Sequence, residues 1–353
     1  VFGGDQVTLV HARFITPDRV AKEAKLLKML GKPADDLPRT GTHIVVGTQV
    51  IEQSLDLDFD VLVTDLCPMD LLLQRMGRLH RHDRARPEGL KAARCLIMEA
   101  TGEGFEPGAE AIYKAYPLMR TLAFLPEDAL NLPDDIPRLV QDVYDQDYKL
   151  AHEPPGYGAA LREWQQLIAG QEGRASAYLL KAPSEDEILN DWLANCPGEA
   201  AGEASVRDGS NSVEAAGEAS VRDGGNSVEV LVIRQTEQGG YAPLPWVTQP
   251  GDGMDLPGFE VPDTDKSRLL ARQSLRLPFA LCHEDIINRT ILELEQSNQQ
   301  VAAWQRSPWL KGQLFLILHQ DLTTTLCGFR LSYQQELGLL CENEWSEHGK
   351  QSV

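Results

Sequence analysis

Two kinds of hydrophobic period alternate along the first hundred residues of the chain. Short apolar runs rich in branched side chains fall at Val7 to Val10, Ile44 to Val46, Val61 to Val63 and Cys95 to Met98. Each is bounded by polar residues, the pattern of strands buried in a parallel sheet. Between them, apolar residues recur at helical spacing. Pro17 opens a helix carrying Val20, Ala24, Leu27 and Leu30 that Gly31 is placed to end. A second helix is predicted over Asp70 to Arg81. Its spacings of three, four and seven residues would set Gln74, Arg78 and Arg81 on one face. Strand and helix alternating in this way predict an α/β fold, with parallel strands joined by crossover helices. Binding groups should then collect at the carboxyl ends of the strands.

From Gly102 the pattern changes. Prolines punctuate short helical segments such as Ile136 to Tyr144, and Ala159 to Ile168 presents Leu161, Trp164 and Ile168 on one face, the spacing of core packing. Residues 201–214 and 216–229 are near copies, AGEASVRDGSNSVE and AGEASVRDGGNSVE, each with a turn signal. Two copies are too few for a solenoid. The second copy runs directly into the apolar stretch Val228 to Ile233 and is the one expected to pair. A segment rich in Pro, Gly and Asp, Gly239 to Asp265, reads as an irregular loop. The remainder reads as a small α+β module, with a helix from Glu284 to about Gln299 and strands at Leu314 to Leu318, Gly328 to Leu331 and Leu337 to Leu340. The expected organisation is therefore an α/β domain over 1–105, a helical linker over 106–200 and a C-terminal domain over 201–353.

Composition narrows the class. The 353 residues hold 42% hydrophobic and 24% charged positions, as a soluble globular protein does. No apolar run approaches the roughly 18 residues of a membrane helix. The six cysteines show no ligand spacing, and their scatter suits a reducing cytoplasm. A net charge of −20 argues at first against a nucleic-acid partner. Its distribution answers that objection: residues 1 to 100 are balanced, with 14 basic and 14 acidic, and seven of the basic ones lie between Arg75 and Arg94. An acidic body with a local basic patch suits contact along a defined channel.

The candidate chemistry lies between His43 and His82. Gly47, Thr48 and Gln49 follow one strand, and Glu52, Ser54 and Asp56 lie just beyond. Gln74, Arg75, Arg78 and Arg81 follow the next, and guanidiniums at a strand end form a competent anion clamp. Glu52, Asp56, Asp58 and Asp60 are also readable as a metal cluster, a reading disfavoured because alternation spreads them over two faces and no histidine spacing supports them.

The run QRMGRLHR from Gln74, preceded by GTQVIEQSLDLDFD from Gly47, resembles motifs VI and V of superfamily 2 helicases. LVHARF at Leu9 to Phe14, followed by Asp18 and Arg19, resembles motif IV. The wording is nearest to the CRISPR-associated helicase-nuclease of type I systems, particularly subtype I-E. That resemblance implies a second RecA-like domain with a C-terminal domain lying over a single-strand path. Arg78 and Arg81 would meet the γ-phosphate of ATP, with Gln74 sensing the same site or the partner lobe, and Glu52 and Asp56 would contact the nucleotide sugar or link the site to the partner lobe. His11, Arg13, Thr48 and Gln49 would lie along the backbone of single-stranded DNA.

A first RecA-like domain and an HD nuclease domain are implied as partners, as is the Cascade surveillance complex. Magnesium would be held mainly by the first lobe. This chain carries no GxxxxGK[ST] loop and no clustered histidines for a two-metal nuclease, so alone it is expected to be inactive. Two alternatives stay open: another superfamily 2 helicase, or a nonenzymatic module that binds DNA or Cascade.

Overall fold

The computed structural model describes residues 6–32, 41–48, 50–53, 55–98, 104–105, 107–126, 129–145, 147–176, 227–247, 254–283 and 286–343. The duplicated segment lies outside them, apart from the last residues of its second copy. The chain divides into two units, one of Val1–Thr64, Leu73–Ile97 and Gly225–Val353, the other of Asp65–Leu72 and Met98–Gly224.

In the first unit, β1 (Val7–Val10) pairs in parallel with β2 (Ile44–Gly47), Val10 opposite Gly47. The crossover between them contains α1 (Thr16–Leu30), with a proline in its first turn and Gly31 N–H bonded to the Leu27 carbonyl at its end. Leu26 and Leu30 of α1 bury against Val10, Leu55 and Leu57, with Val45 and Ile51 packed alongside. The short helix α2 (Val50–Gln53) follows β2. Next, β3 (Val61–Asp65) pairs with β4 (Arg94–Met98).

These strands are less enclosed than their apolar character suggests. Val46, Val61, Val63, Leu96 and Met98 are between 40% and 56% exposed. In the β1–β2 pair the reason is visible: α1 covers the face that carries Val10 and Val45, while Val46 points to the other.

The helix predicted over Asp70 to Arg81 is shorter than expected: α3 spans Met69–Met76. Gly77 closes it, with its N–H on the Leu73 carbonyl. The chain then pairs with the residues before β3, as Phe59 and Leu79 form a parallel bridge, Phe59 N–H donating to Arg78 O and His80 N–H to Phe59 O. His80 takes a positive φ of 50°. Gln74, Arg78 and Arg81 therefore do not share a helical face. A long-range bridge satisfies backbone groups that continued helix would have satisfied locally.

The C-terminal region is built on β5 (Glu229–Gln235), which pairs antiparallel with β6 (Tyr241–Ala242) and β7 (Ser274–Arg276) and parallel with β8 (Phe315–Leu318). Both faces of β5 are buried. Val230 and Val232 enter one cluster with Leu275, Leu316 and Leu318, and Leu231 and Ile233 enter another with Trp304, Phe315 and Ile317. Two helices flank the sheet, α8 (Thr264–Ala271) and α9 (Ile287–Asn298). Both β6 and the start of α8 fall in the stretch expected to be an irregular loop; Asp263 caps α8 by accepting from Lys266 N–H. A second sheet follows, with β10 (Phe329–Gln334) between β9 (Thr323–Leu326) and β11 (Gly338–Asn343), all antiparallel. Ile15, from the start of the chain, is buried in the same cluster as Leu331, Tyr333 and Leu339.

The second unit is helical: α4 (Pro107–Tyr113), α5 (Ala115–Phe124), α6 (Ile136–Tyr144) and α7 (Tyr157–Ser176). Leu161 and Trp164 of α7 pack against Tyr116, Tyr157 and Ala160, so these aromatics are core, as expected. Arg120 is fully buried and has no carboxylate partner among the described residues. Its guanidinium donates to the carbonyls of Asp142, Val143, Asp145 and Tyr148 and to the Tyr157 hydroxyl. Three of those carbonyls close the C-terminal end of α6, where the helix dipole favours a cation.

Candidate functional site

The carboxyl ends of β1 and β2 lie side by side, since Val10 pairs with Gly47 and its carbonyl accepts from Thr48 N–H at 3.3 Å. His11 to Arg13 leave one strand and Thr48 leaves the other, so the structure brings together three of the four residues expected along nucleic acid. The fourth, Gln49, lies outside the described residues. Thr48 and Arg13 are exposed, and no hydrogen bond or ion pair is seen for the Arg13 guanidinium among the described residues. His11 is committed internally. Its Nε2–H donates to Leu337 O at 3.1 Å, its Nδ1 accepts from Arg13 N–H at 3.0 Å, and its ring stacks on Phe14 with centroids 4.5 Å apart.

The acidic residues of α2 and the stretch after it meet the arginines of α3 and the stretch after it in chain order. Glu52, 5% exposed, is held by Arg75, whose Nε and Nη2 reach Oε1 at 2.7 and 2.6 Å while Nη1 donates to Thr64 Oγ1 at 2.6 Å. Arg78 Nη2 donates to the Glu52 carbonyl at 2.6 Å. Arg81 Nε bonds Asp56 Oδ1 at 2.5 Å, with His82 Nε2 3.2 Å from the same oxygen. The fully buried Asp58 takes Arg84 and Arg86, at 2.7 and 2.8 Å, and Arg86 also reaches Asp60.

The parallel bridge between Phe59 and Leu79 holds the two segments side by side, which brings Asp56, Asp58 and Asp60 of one within reach of Arg81, Arg84 and Arg86 of the other. Asp58 and Asp60 thereby serve as counter-charges to arginine. Among the described residues, no group of three or more His, Cys, Asp or Glu side chains is placed to hold a metal.

Among the described residues, four polar atoms of this array are buried without a hydrogen bond: Arg78 Nε and Glu52 Oε2, and Arg84 Nε and His82 Nε2, which are ion-paired with Asp58 and Asp56. Burial, with the nearby Arg81 charge, holds the Arg78 guanidinium below the usual arginine range, and Asp56 opposes this. The Arg81 bond in turn holds the Asp56 carboxyl below its ordinary value, with His82 adding to the effect. Arg78 and Arg81 therefore form a close cationic pair compensated from one side by Asp56, an arrangement that favours an added anion. Gln74 is exposed on α3.

Arg75, which holds Glu52, and Thr64, which accepts from Arg75, carried no signal of those roles in sequence. Arg75 is one residue from Gln74, and Thr64 lies within β3; only the packing of α3 against that strand pairs them.

Two family models match the chain: the C-terminal part of the CRISPR-associated nuclease/helicase Cas3 over residues 2–84, and the Cas3 C-terminal domain over residues 222–339. The CRISPR-associated nuclease/helicase Cas3 of Streptococcus thermophilus is 36% identical over 97% of the chain and 36% of its own length. The chain belongs to the Cas3 family, as its C-terminal part. It spans about a third of that Cas3. The Cas3 of Thermus thermophilus is 38% identical over 54% of the chain and 21% of its own length.

A crystal structure described as a CRISPR-associated protein aligns with a TM-score of 0.74 at 27% identity, over 96% of this chain and 35% of that one. The T. fusca Cas3 crystal structure shares the fold, with a TM-score of 0.72 at 24% identity over 95% and 35%. The first Cas3 model contains the whole arginine and carboxylate array up to Arg84, and the second contains β5 to β10. Among the described residues no helix is long and apolar enough to cross a membrane.

Proposed function

We propose that the chain supplies the second motor lobe and C-terminal domain of an ATP-dependent single-stranded-DNA translocase and helicase, moving 3′ to 5′ and acting with a nuclease domain in CRISPR interference. The observation that carries this reading is the buried Nε of Arg78, which lacks a hydrogen-bond partner among the described residues, beside Arg81. A phosphate oxygen is the acceptor such a donor lacks, and the residues present therefore fit the terminal phosphates of ATP. When bound, ATP supplies the free energy of phosphoryl transfer.

Within this chain, Arg78 and Arg81 neutralise charge at the departing phosphoryl group. Arg75 fixes Glu52, and Glu52 fixes Arg78 through its carbonyl, so the clamp is set before nucleotide arrives. Gln74, exposed on α3, faces the first RecA-like lobe in this reading, and Asp56 keeps Arg81 oriented until phosphate competes for it. Magnesium is assigned to that first lobe, because Glu52, Asp58 and Asp60 are engaged by arginines here.

Arg13 and Thr48, exposed at neighbouring strand ends, grip the DNA backbone, with Gln49 assigned to the same contact. Such a grip is independent of base sequence. Cascade is the proposed recruiting partner. Supporting it, a structure described as a CRISPR RNA-guided surveillance complex, pre-nicking, aligns with a TM-score of 0.67 at 25% identity over 95% of this chain and 37% of that one.

The test is DNA-stimulated ATP hydrolysis by the chain alone and after a first motor lobe is supplied. The proposal expects turnover only from the pair, lost with Arg78→Ala. Turnover by the chain alone, or an Arg78→Ala pair as active as the parent, would reject it.

A further inference from the structure

The segment from His11 to Ile15 is held at both ends by one hairpin of the C-terminal region, formed by β10 and β11. At the far end, the Tyr333 hydroxyl accepts from Ile15 N–H at 2.9 Å and donates to the buried Asp18 at 2.8 Å, and Trp246 Nε1 donates to the same carboxylate at 2.9 Å. At the near end, Leu339 N–H donates to Arg13 O at 2.8 Å, and the Leu337 carbonyl takes the His11 ring. Lys22, whose ammonium lies 4.5 Å from the Phe14 ring centroid, donates to the Glu336 carbonyl and carboxylate.

Gly338 sits at the tip, with φ of +72°. A Cβ there would stand 2.6 Å from Arg13 O and 2.9 Å from His11 Cε1. The approach is against backbone, so a side chain could be accommodated only by lifting the hairpin off the segment.

We infer that the hairpin tip at Gly338 is a positioning element for Arg13, through which the C-terminal domain sets the strength of the DNA grip made by the motor lobe. The backbone of Arg13 is fixed on both sides, its N–H by His11 and its carbonyl by Leu339, while its guanidinium stays exposed. The hairpin therefore constrains where that charge can be presented without touching the charge itself. This inference rests on the nucleic-acid reading above, and it deepens it by placing control of the grip in a different part of the chain.

Gly312 provides the control. It has nearly the same backbone conformation, φ +75°, but a Cβ there meets nothing within 4 Å. Affinity for a labelled oligo-dT strand is measured for the chain and for Arg13→Ala, Gly338→Ala, Gly312→Ala and the Arg13→Ala/Gly338→Ala pair. Losing Arg13 should weaken binding roughly tenfold, as for one charge-assisted contact. Gly338→Ala should weaken it about three- to tenfold, the double variant should bind no more weakly than Arg13→Ala, and Gly312→Ala should leave it unchanged.

Hydrogen exchange at the Arg13 amide reads positioning with no DNA present, and should rise in Gly338→Ala alone. Unchanged exchange, or losses that multiply in the double variant, overturns the positioning role. An Arg13→Ala chain that binds as the parent does overturns the nucleic-acid reading itself, whatever the exchange result.

Discussion

Arg75 donates twice to a single oxygen of Glu52, from Nε at 2.7 Å and Nη2 at 2.6 Å, and leaves the other carboxylate oxygen buried without a hydrogen-bond partner among the described residues. The pair joins α3 to α2, and through the Glu52 carbonyl it also holds Arg78. Removing either charge leaves the other buried and uncompensated. Arg75→Ala should therefore destabilise the fold by about 3 kcal/mol, and the Arg75→Ala/Glu52→Gln double variant should recover part of that loss. Urea denaturation of the three chains measures both effects.

Arg81 differs from Arg75 in exposure, its side chain being 42% accessible. An exposed ion pair contributes little to stability. Arg81→Ala should leave the denaturation midpoint nearly unchanged while lowering ATP turnover of the reconstituted motor by on the order of 10³-fold. A variant that unfolds earlier but hydrolyses ATP normally would assign Arg81 a structural task instead.

His11 should make stability pH-dependent. Burial pushes its pKa below 6.5, helped by the Arg13 and Lys22 charges and opposed by the bond to the Leu337 carbonyl. Its two bonds need a neutral ring, with Nε2 donating and Nδ1 accepting. The folded state thus disfavours the proton that the unfolded state takes up near 6.5. The contribution is complete above that pH and is lost as pH falls through the folded value. Comparing urea midpoints at pH 7.5 and 5.5, the parent chain should lose more stability than His11→Gln; equal losses would refute the assignment.

Arg120→Ala should unfold the helical unit, since five acceptors lose their donors in the interior, each at a cost of about 1–3 kcal/mol where it stays unsatisfied. Arg120→Lys should rescue little, because an ammonium has three donors where the guanidinium has five. Helix content against temperature, read beside proteolysis of the 107–176 region, tests this.

Sequence alone determined the type of most elements outside the stretch Gly239 to Asp265, because hydrophobic period is local. Val7 to Val10 and Ile136 to Tyr144 match their observed bounds, and the apolar run before Gln235 is the central strand of the C-terminal sheet. Motif wording was also sufficient to indicate the family. What the tertiary structure decided was every relationship between distant residues. Helix period carried α3 on to Arg81, but Leu79 pairs with Phe59, and that bridge ends the helix and deals Arg81, Arg84 and Arg86 onto Asp56, Asp58 and Asp60. Apolar strands read as buried on both faces, yet Val46, Val61 and Val63 are half open, since burial depends on what packs above a strand and not on the strand. His11 and Arg13 look equivalent at a strand end, and only a hairpin more than 300 residues away takes one inward and leaves the other in solvent. Local patterns encode how each segment folds; which charges meet, and which stay free to act, is set by contacts whose partners share no neighbourhood in the chain.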